Sequence, residues 1–159
     1  MIALDLGCGP AKTPGAIGYD VRSLPGVDVV GDALRLPFRK GSVDRLYSHH
    51  VVEHFTRSDG LVFLKECKRI LRDGGDLWIA CPDMVAMCRS YLHYMQTGNY
   101  TETQKLTHNF VGGQDYAYNH HYWLYNKLSL AEALDAAGFS DVEELNIRDM
   151  HELYLCATA

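Results

Sequence analysis

Short apolar runs alternate along the chain with stretches of helical period, and glycine, proline or an acid marks each change. Residues 2–6 are apolar apart from Asp5 and run into Gly7-Cys8-Gly9-Pro10, the form of a buried parallel strand ending in a glycine-permitted turn. Residues 17–21 and 27–30 predict two more strands, with Asp20 inside the first and Asp32 just past the second. Residues 43–47 predict a fourth. A helix is expected from about 59 to 72, with Leu61, Leu64, Cys67 and Leu71 inward, Lys65, Lys68, Arg69 and Arg72 outward, and Gly74-Gly75 as its stop. Residues 77–81 predict a fifth strand. After Pro82, Met84, Met87, Cys88, Tyr91 and Met95 recur at helical spacing behind Asp83, a good N-cap. That spacing marks Tyr91 and Met95 as core. Ser129-Leu130-Ala131-Glu132 reads as a capping box opening a helix that Gly138 closes, and 142–147 with 153–157 read as a terminal strand pair. This alternation predicts an α/β domain with a mostly parallel sheet and a ligand site at the C-terminal ends of its strands.

A length of 159 residues matches one domain of about 150 residues. With 47% apolar and 22% charged residues the chain is of globular composition, which excludes disordered, collagen-like and coiled-coil classes. Fifteen basic against twenty acidic residues leave a net charge of -5, without the excess that would hold a phosphate backbone. No nucleic-acid partner is expected. The apolar runs fall well short of the roughly 20 residues that span a bilayer, and residues 1–5 form neither a basic leader nor a long apolar region, so a cytoplasmic location is expected. Five cysteines without C-x-x-C spacing read as reduced and mostly core.

Gly7-Cys8-Gly9 satisfies the first half of a dinucleotide fingerprint, but Lys12 occupies the position of its third glycine. Only seven residues separate Gly9 from Ile17, too few for the helix of about 10 residues that holds a pyrophosphate. This disfavours an NAD or nucleotide-sugar enzyme. A turn that admits a ligand to the backbone, followed by Asp20 to accept ribose hydroxyls, suits a nucleoside instead.

On these residues the chain resembles the class I S-adenosylmethionine-dependent methyltransferases, of the small type related to the ubiquinone and menaquinone group. Leu4-Asp5-Leu6-Gly7-Cys8-Gly9-Pro10 matches the glycine loop and Asp20 the ribose-binding acid. Gly31-Asp32-Ala33 with Leu36-Pro37-Phe38 matches the adenine segment, 42–54 the fourth strand and its loop, and Leu71-Arg72-Asp73-Gly74-Gly75 with Cys81-Pro82-Asp83 the fifth-strand segment. The resemblance implies a Rossmann-like, seven-stranded sheet of order 3-2-1-4-5-7-6 with strand seven antiparallel. It implies S-adenosylmethionine as cofactor, S-adenosylhomocysteine as product, and cofactor contacts from Asp5, Gly7, Cys8, Gly9, Asp20, Asp32, Ala33, Ser48 and His49. The chain departs from the family in its first helix, cut to a turn, and in opening directly at strand one. The acceptor side is therefore expected from an 83–127 insertion within a single domain of residues 1–159. That segment carries seven of the ten tyrosines, and Gly112-Gly113 before its His-bearing stretch reads as the hinge of a lid.

The implied reaction is transfer of a sulfonium methyl group to a small or medium-sized acceptor, with His49, His120 or His121 as general base if the acceptor must lose a proton. The alternative is a non-catalytic S-adenosylmethionine-binding sensor or partner subunit. Cys8 reads as loop packing rather than a nucleophile. His50 and His54, four apart, could join His49, His120 and His121 around a metal, but spacing fixes no geometry and no metal is assigned. The missing first helix would expose Ile2, Leu4, Leu6, Ile17 and Tyr19, which predicts a homodimer through that face unless the chain itself covers it.

Overall fold

The computed structural model describes residues 1–145, 147 and 151–159. Seven strands form one sheet: β1 (Ala3–Leu6), β2 (Ile17–Asp20), β3 (Val29–Val30), β4 (Val43–His49), β5 (Leu71–Pro82), β6 (Ser140–Glu144) and β7 (Glu152–Thr158). Their order is β3-β2-β1-β4-β5-β7-β6, with β7 antiparallel to both of its neighbours and every other pairing parallel. This is the expected topology. Asn146, inside the expected strand 142–147, lies outside the described residues.

Alternation along each strand decides which face becomes core. The register places Leu4 and Leu6 beside Leu46 and Ser48, then Leu77 and Ile79, then Leu155 and Ala157, and all of them are buried. Helices α1 (Arg57–Ile70) and α4 (Lys127–Ala137) pack on each other and join this core. The Thr56 side chain caps α1 by accepting from the Asp59 amide, and Gly60, Phe63, Leu64, Cys67 and Ile70 face inward. The helix ends before Gly74-Gly75, because Leu71 is already extended and opens β5. Asn126 caps α4, with Ser129 as the third residue of the capping box rather than its first, and Gly138 closes the helix at φ 95°.

Between β5 and α4 the chain makes an excursion through α2 (Met84–Gln96) and α3 (Tyr100–Val111). Asp83 caps α2 as expected, yet Met87 is the only residue it buries, and Met95 is 45% exposed. The reason is its partner: α2 packs chiefly on α3, with Tyr91 edge-on to Phe110. Met95 is therefore not core, and Tyr91 is only part-buried.

No helix lies between β1 and β2 or between β2 and β3. Leu4, Leu6 and Tyr19 are nevertheless buried by the chain itself, with Leu36 in the same core and Phe38 edge-on to Tyr19 at 5.9 Å. The surface expected to pair two copies is thus mostly internal, leaving Ile2 and Ile17 exposed. The half-buried surface is the opposite one, where Arg45, Tyr47, Trp78 and Cys156 point. Its rings form a ladder, Trp78 to Tyr47 to His49 to Tyr154.

Candidate functional site

Two neighbouring cavities open beyond the C-terminal ends of β1, β2 and β4, one of about 530 Å³ and one of about 370 Å³. They share Gly7, Arg22, His50, His54 and Tyr116. Gly7 leaves β1 at φ 67°, and a Cβ there would lie 2.3 Å from Val51 Cγ2. Only glycine fits this turn. Two acids brace the loop that follows: Asp5 accepts from the Thr13 amide at 2.6 Å, and Asp20 from the Gly9 amide at 2.9 Å. The other Asp20 oxygen accepts from the Arg22 amide at 2.8 Å and from Arg22 Nε at 3.3 Å. Asp20, 4% exposed, reaches the wall of the larger cavity, as do Val21, Asp32 and Ala33. Gly31 lets the chain lie against Tyr19, whose hydroxyl donates to the Asp32 carbonyl at 3.1 Å, while Asp32 Oδ1 accepts from the Leu34 amide.

Gly7, Asp20, Asp32, Ala33 and His49 therefore meet at the cavities, whereas Asp5, Cys8, Gly9 and Ser48 line neither. Asp5 and Gly9 act on the loop's shape. Cys8 lies against Gly18 of β2, where a Cβ would come within 2.9 Å of its sulfur, and burial raises its thiol pKa, which fits packing rather than nucleophilic chemistry. Ser48 belongs to the opposite side of β4 from His49, so strand parity turns it into the core, and its hydroxyl has no hydrogen-bond partner among the described residues.

The smaller cavity gathers histidines. His49, His50, His54, His108 and His121 line it, together with Asn109 and Asn119. His50, at φ 55°, holds Nε2 2.9 Å from Glu152 and Nδ1 3.2 Å from Glu53. Those two hydrogen bonds, Glu152 first, outweigh burial and push its pKa up to about 10, and the same contact holds Glu152 low. It is an imidazolium at neutral pH. His54 and His121 meet edge-on with centroids 4.9 Å apart, and burial lowers the pKa of His121. His120 lines neither cavity: its ring packs toward Tyr122 and its carbonyl accepts from His54 Nδ1. It is removed from the candidate bases by this geometry, which leaves His49 and His121.

The excursion is anchored where it leaves and returns, since Asp83 bridges Tyr125 and the Met84 amide donates to the Tyr125 carbonyl. Gly112 admits a close approach: a Cβ there would be 2.4 Å from the Asn119 carbonyl oxygen. The loop beyond it is tied to the turn after β4 by the Tyr122 and Trp123 amides, both donating to the Glu53 carbonyl. Arg22 stacks over the Tyr116 ring at 4.3 Å, joining β2 to this loop. Neither Arg22 nor His108 was expected at the site, and no motif marks them. They arrive there through tertiary packing alone.

Residues 13–79 match the family model described as a methyltransferase domain. An uncharacterized 37.1 kDa protein in transposon TN4556 of Streptomyces fradiae is 32% identical, over 72% of this chain and 40% of that protein. The chain thus spans well under half the length of that relative. Among solved structures, a SAM-dependent methyltransferase from Archaeoglobus fulgidus superposes with a TM-score of 0.68 at 15% identity, covering 99% of this chain and 85% of that one. The Burkholderia thailandensis 1,6-didemethyltoxoflavin-N1-methyltransferase, solved with its substrate and S-adenosylhomocysteine, gives 0.64 at 15% identity, covering 99% and 70%. In sheet order, and in the glycine turn and two acids at the ends of its first three strands, the chain shares the fold of these methyltransferase structures.

Proposed function

We propose that the protein binds S-adenosylmethionine in the larger cavity and methylates a small or medium-sized acceptor in the smaller one. The observation that carries this is the junction of the two cavities through shared walls, with Asp20 and Asp32 on the larger and the histidines on the smaller. S-adenosylmethionine supplies an electrophilic methyl group on a sulfonium, whose departure as a neutral thioether needs little beyond positioning and exclusion of water. The residues fit this cofactor. Asp20 has the carboxylate to accept ribose hydroxyls once Arg22 Nε, its longest partner, gives way. Asp32 accepts from an exocyclic amine, and Val21 offers an apolar wall to the base. Where the acceptor must lose a proton, His49 at the end of β4 is placed to take it.

The 114–122 segment beyond the Gly112-Gly113 hinge is the lid of this site, and residues 83–127 are its acceptor-side insertion. No helix among the described residues is long and apolar enough to cross a membrane. We place the activity in the cytoplasm, without a nucleic-acid partner. The test is release of S-adenosylhomocysteine against a panel of phenol, hydroxyl, amine and thiol acceptors. Release with one acceptor class, lost in Asp20→Ala, supports the enzyme. Cofactor binding with no release across the panel would replace it by the non-catalytic sensor.

A further inference from the structure

Glu53, in the turn between β4 and α1, is 0% exposed. Its Oε1 faces His50, but Oε2 is buried with no hydrogen-bond partner among the described residues. A buried carboxylate oxygen left unpaired is costly. Two imidazoles stand beside it in a complementary state. His54 Nδ1 lies 3.0 Å from the His120 carbonyl oxygen and His121 Nδ1 lies 2.7 Å from the Asn109 carbonyl oxygen. A carbonyl only accepts, so both Nδ1 atoms carry a proton, and in the neutral ring it is Nε2 that offers a lone pair to a metal. Ligand-capable atoms of Glu53, His54 and His121 all lie within 4.8 Å of one another. The backbone holds them there, because the Tyr122 and Trp123 amides, next to His121, donate to the carbonyl of Glu53 itself.

We propose that Glu53, His54 and His121 bind one divalent transition-metal ion of the zinc class at the side of the smaller cavity. Two imidazole nitrogens and one carboxylate oxygen are a donor set for zinc or its neighbours, whereas magnesium and calcium take oxygen ligands. Each imidazole fixed through its other nitrogen by a backbone carbonyl, and a carboxylate fixed by His50, is the outer-shell arrangement that orients metal ligands. Three protein ligands leave a coordination position open, as in catalytic rather than structural zinc sites. The cavity of about 370 Å³ lies on that side, lined by His54 and His121 themselves. Resting on the methyltransferase reading, the ligand that completes the site is an oxygen of the acceptor, a hydroxyl or phenol whose proton the metal makes easier to lose. His49 then remains as the base. The ion itself does not depend on that reading.

The test uses tag-free protein stripped with a chelator and titrated with cobalt(II), followed by its visible d–d absorption, with zinc competition and with S-adenosylhomocysteine binding measured on the same samples. The expected result is a single stoichiometric cobalt site, displaced by zinc, lost in His54→Gln and in His121→Gln and retained in His93→Gln on the exposed side of α2. Zinc should also raise the Tm of the stripped wild-type protein, a readout that needs no variant. No stoichiometric cobalt binding and no zinc-dependent Tm shift, or binding unchanged in both ligand variants, would overturn the site. S-adenosylhomocysteine binding without metal binding would leave the methyltransferase reading standing and remove this one alone.

Discussion

Gly7 combines a left-handed φ of 67° with a neighbour, Val51 Cγ2, that a Cβ would approach to 2.3 Å. Gly7→Ala therefore adds left-handed backbone strain to overpacking, together roughly 2–5 kcal/mol of lost stability. Chemical denaturation checks this, and adding Val51→Ala should recover the overpacking part but not the backbone part. The same residue shows what was legible from sequence. Gly7, Asp20 and Asp32 stand at strand ends, where the strand pattern and the turn residues locate them without tertiary knowledge. Ser48 and His49 adjoin in sequence, but telling which enters the cavity requires the parity of β4 against its neighbours. Glu53 and His121 are 68 positions apart, and only folding joins them.

Helix α1 does more than cover the core. Arg69 donates to the carbonyls of Leu36 and Phe38 at 2.9 and 2.8 Å, and Glu66, paired with Arg69, accepts from the Leu36 amide. This clamp holds the segment that follows Asp32 and Ala33 on the wall of the larger cavity. Its hydrogen bond from Arg69 keeps the Glu66 pKa below the ordinary carboxylate value. A group depressed in the folded state contributes stability above its unfolded pKa, about 4.3, and loses it as pH falls through the folded value. The protection factor of the Leu36 amide, exchange corrected for its intrinsic pH dependence, should thus fall on acidification below about pH 4.3, and Glu66→Gln should flatten that dependence. Exchange insensitive to Glu66→Gln would deny the clamp. On the other side of the site, amides 114–122 should exchange faster than those of β4 and β5 and slow when cofactor and acceptor bind. Equal protection without ligand would make the loop ordinary core. Helical period predicted α2 correctly but assigned it the wrong core, since period gives a face and not its partner. Helix α3, although capped by Asn99, carries no apolar period strong enough to predict it, and His108 and Asn109 reach the cavity from it.

At the scale of the whole molecule, the strand and turn pattern located most of the strands, and their order came from the family resemblance, which the sheet matches. What it could not supply was which face the shortened connections leave bare. That face carries the Trp78, Tyr47, His49 and Tyr154 ladder, with Arg45 and Asp76 beside it, paired at 2.7 Å. A half-buried aromatic strip on an uncovered sheet face suits a two-fold contact with a second copy. Sedimentation should show a dimer at micromolar concentration that Trp78→Glu dissociates without loss of fold. A monomer at every concentration would exclude it. The central claim concerns the cradle of Gly7, Asp20 and Asp32, and S-adenosylhomocysteine binding tests it directly. Calorimetry on the wild-type protein should give one site. Asp20→Ala should weaken it by about 1.5–3 kcal/mol for each hydrogen bond lost to the carboxylate. Absence of binding to the wild-type protein, or equal affinity in Asp20→Ala, would contradict the account.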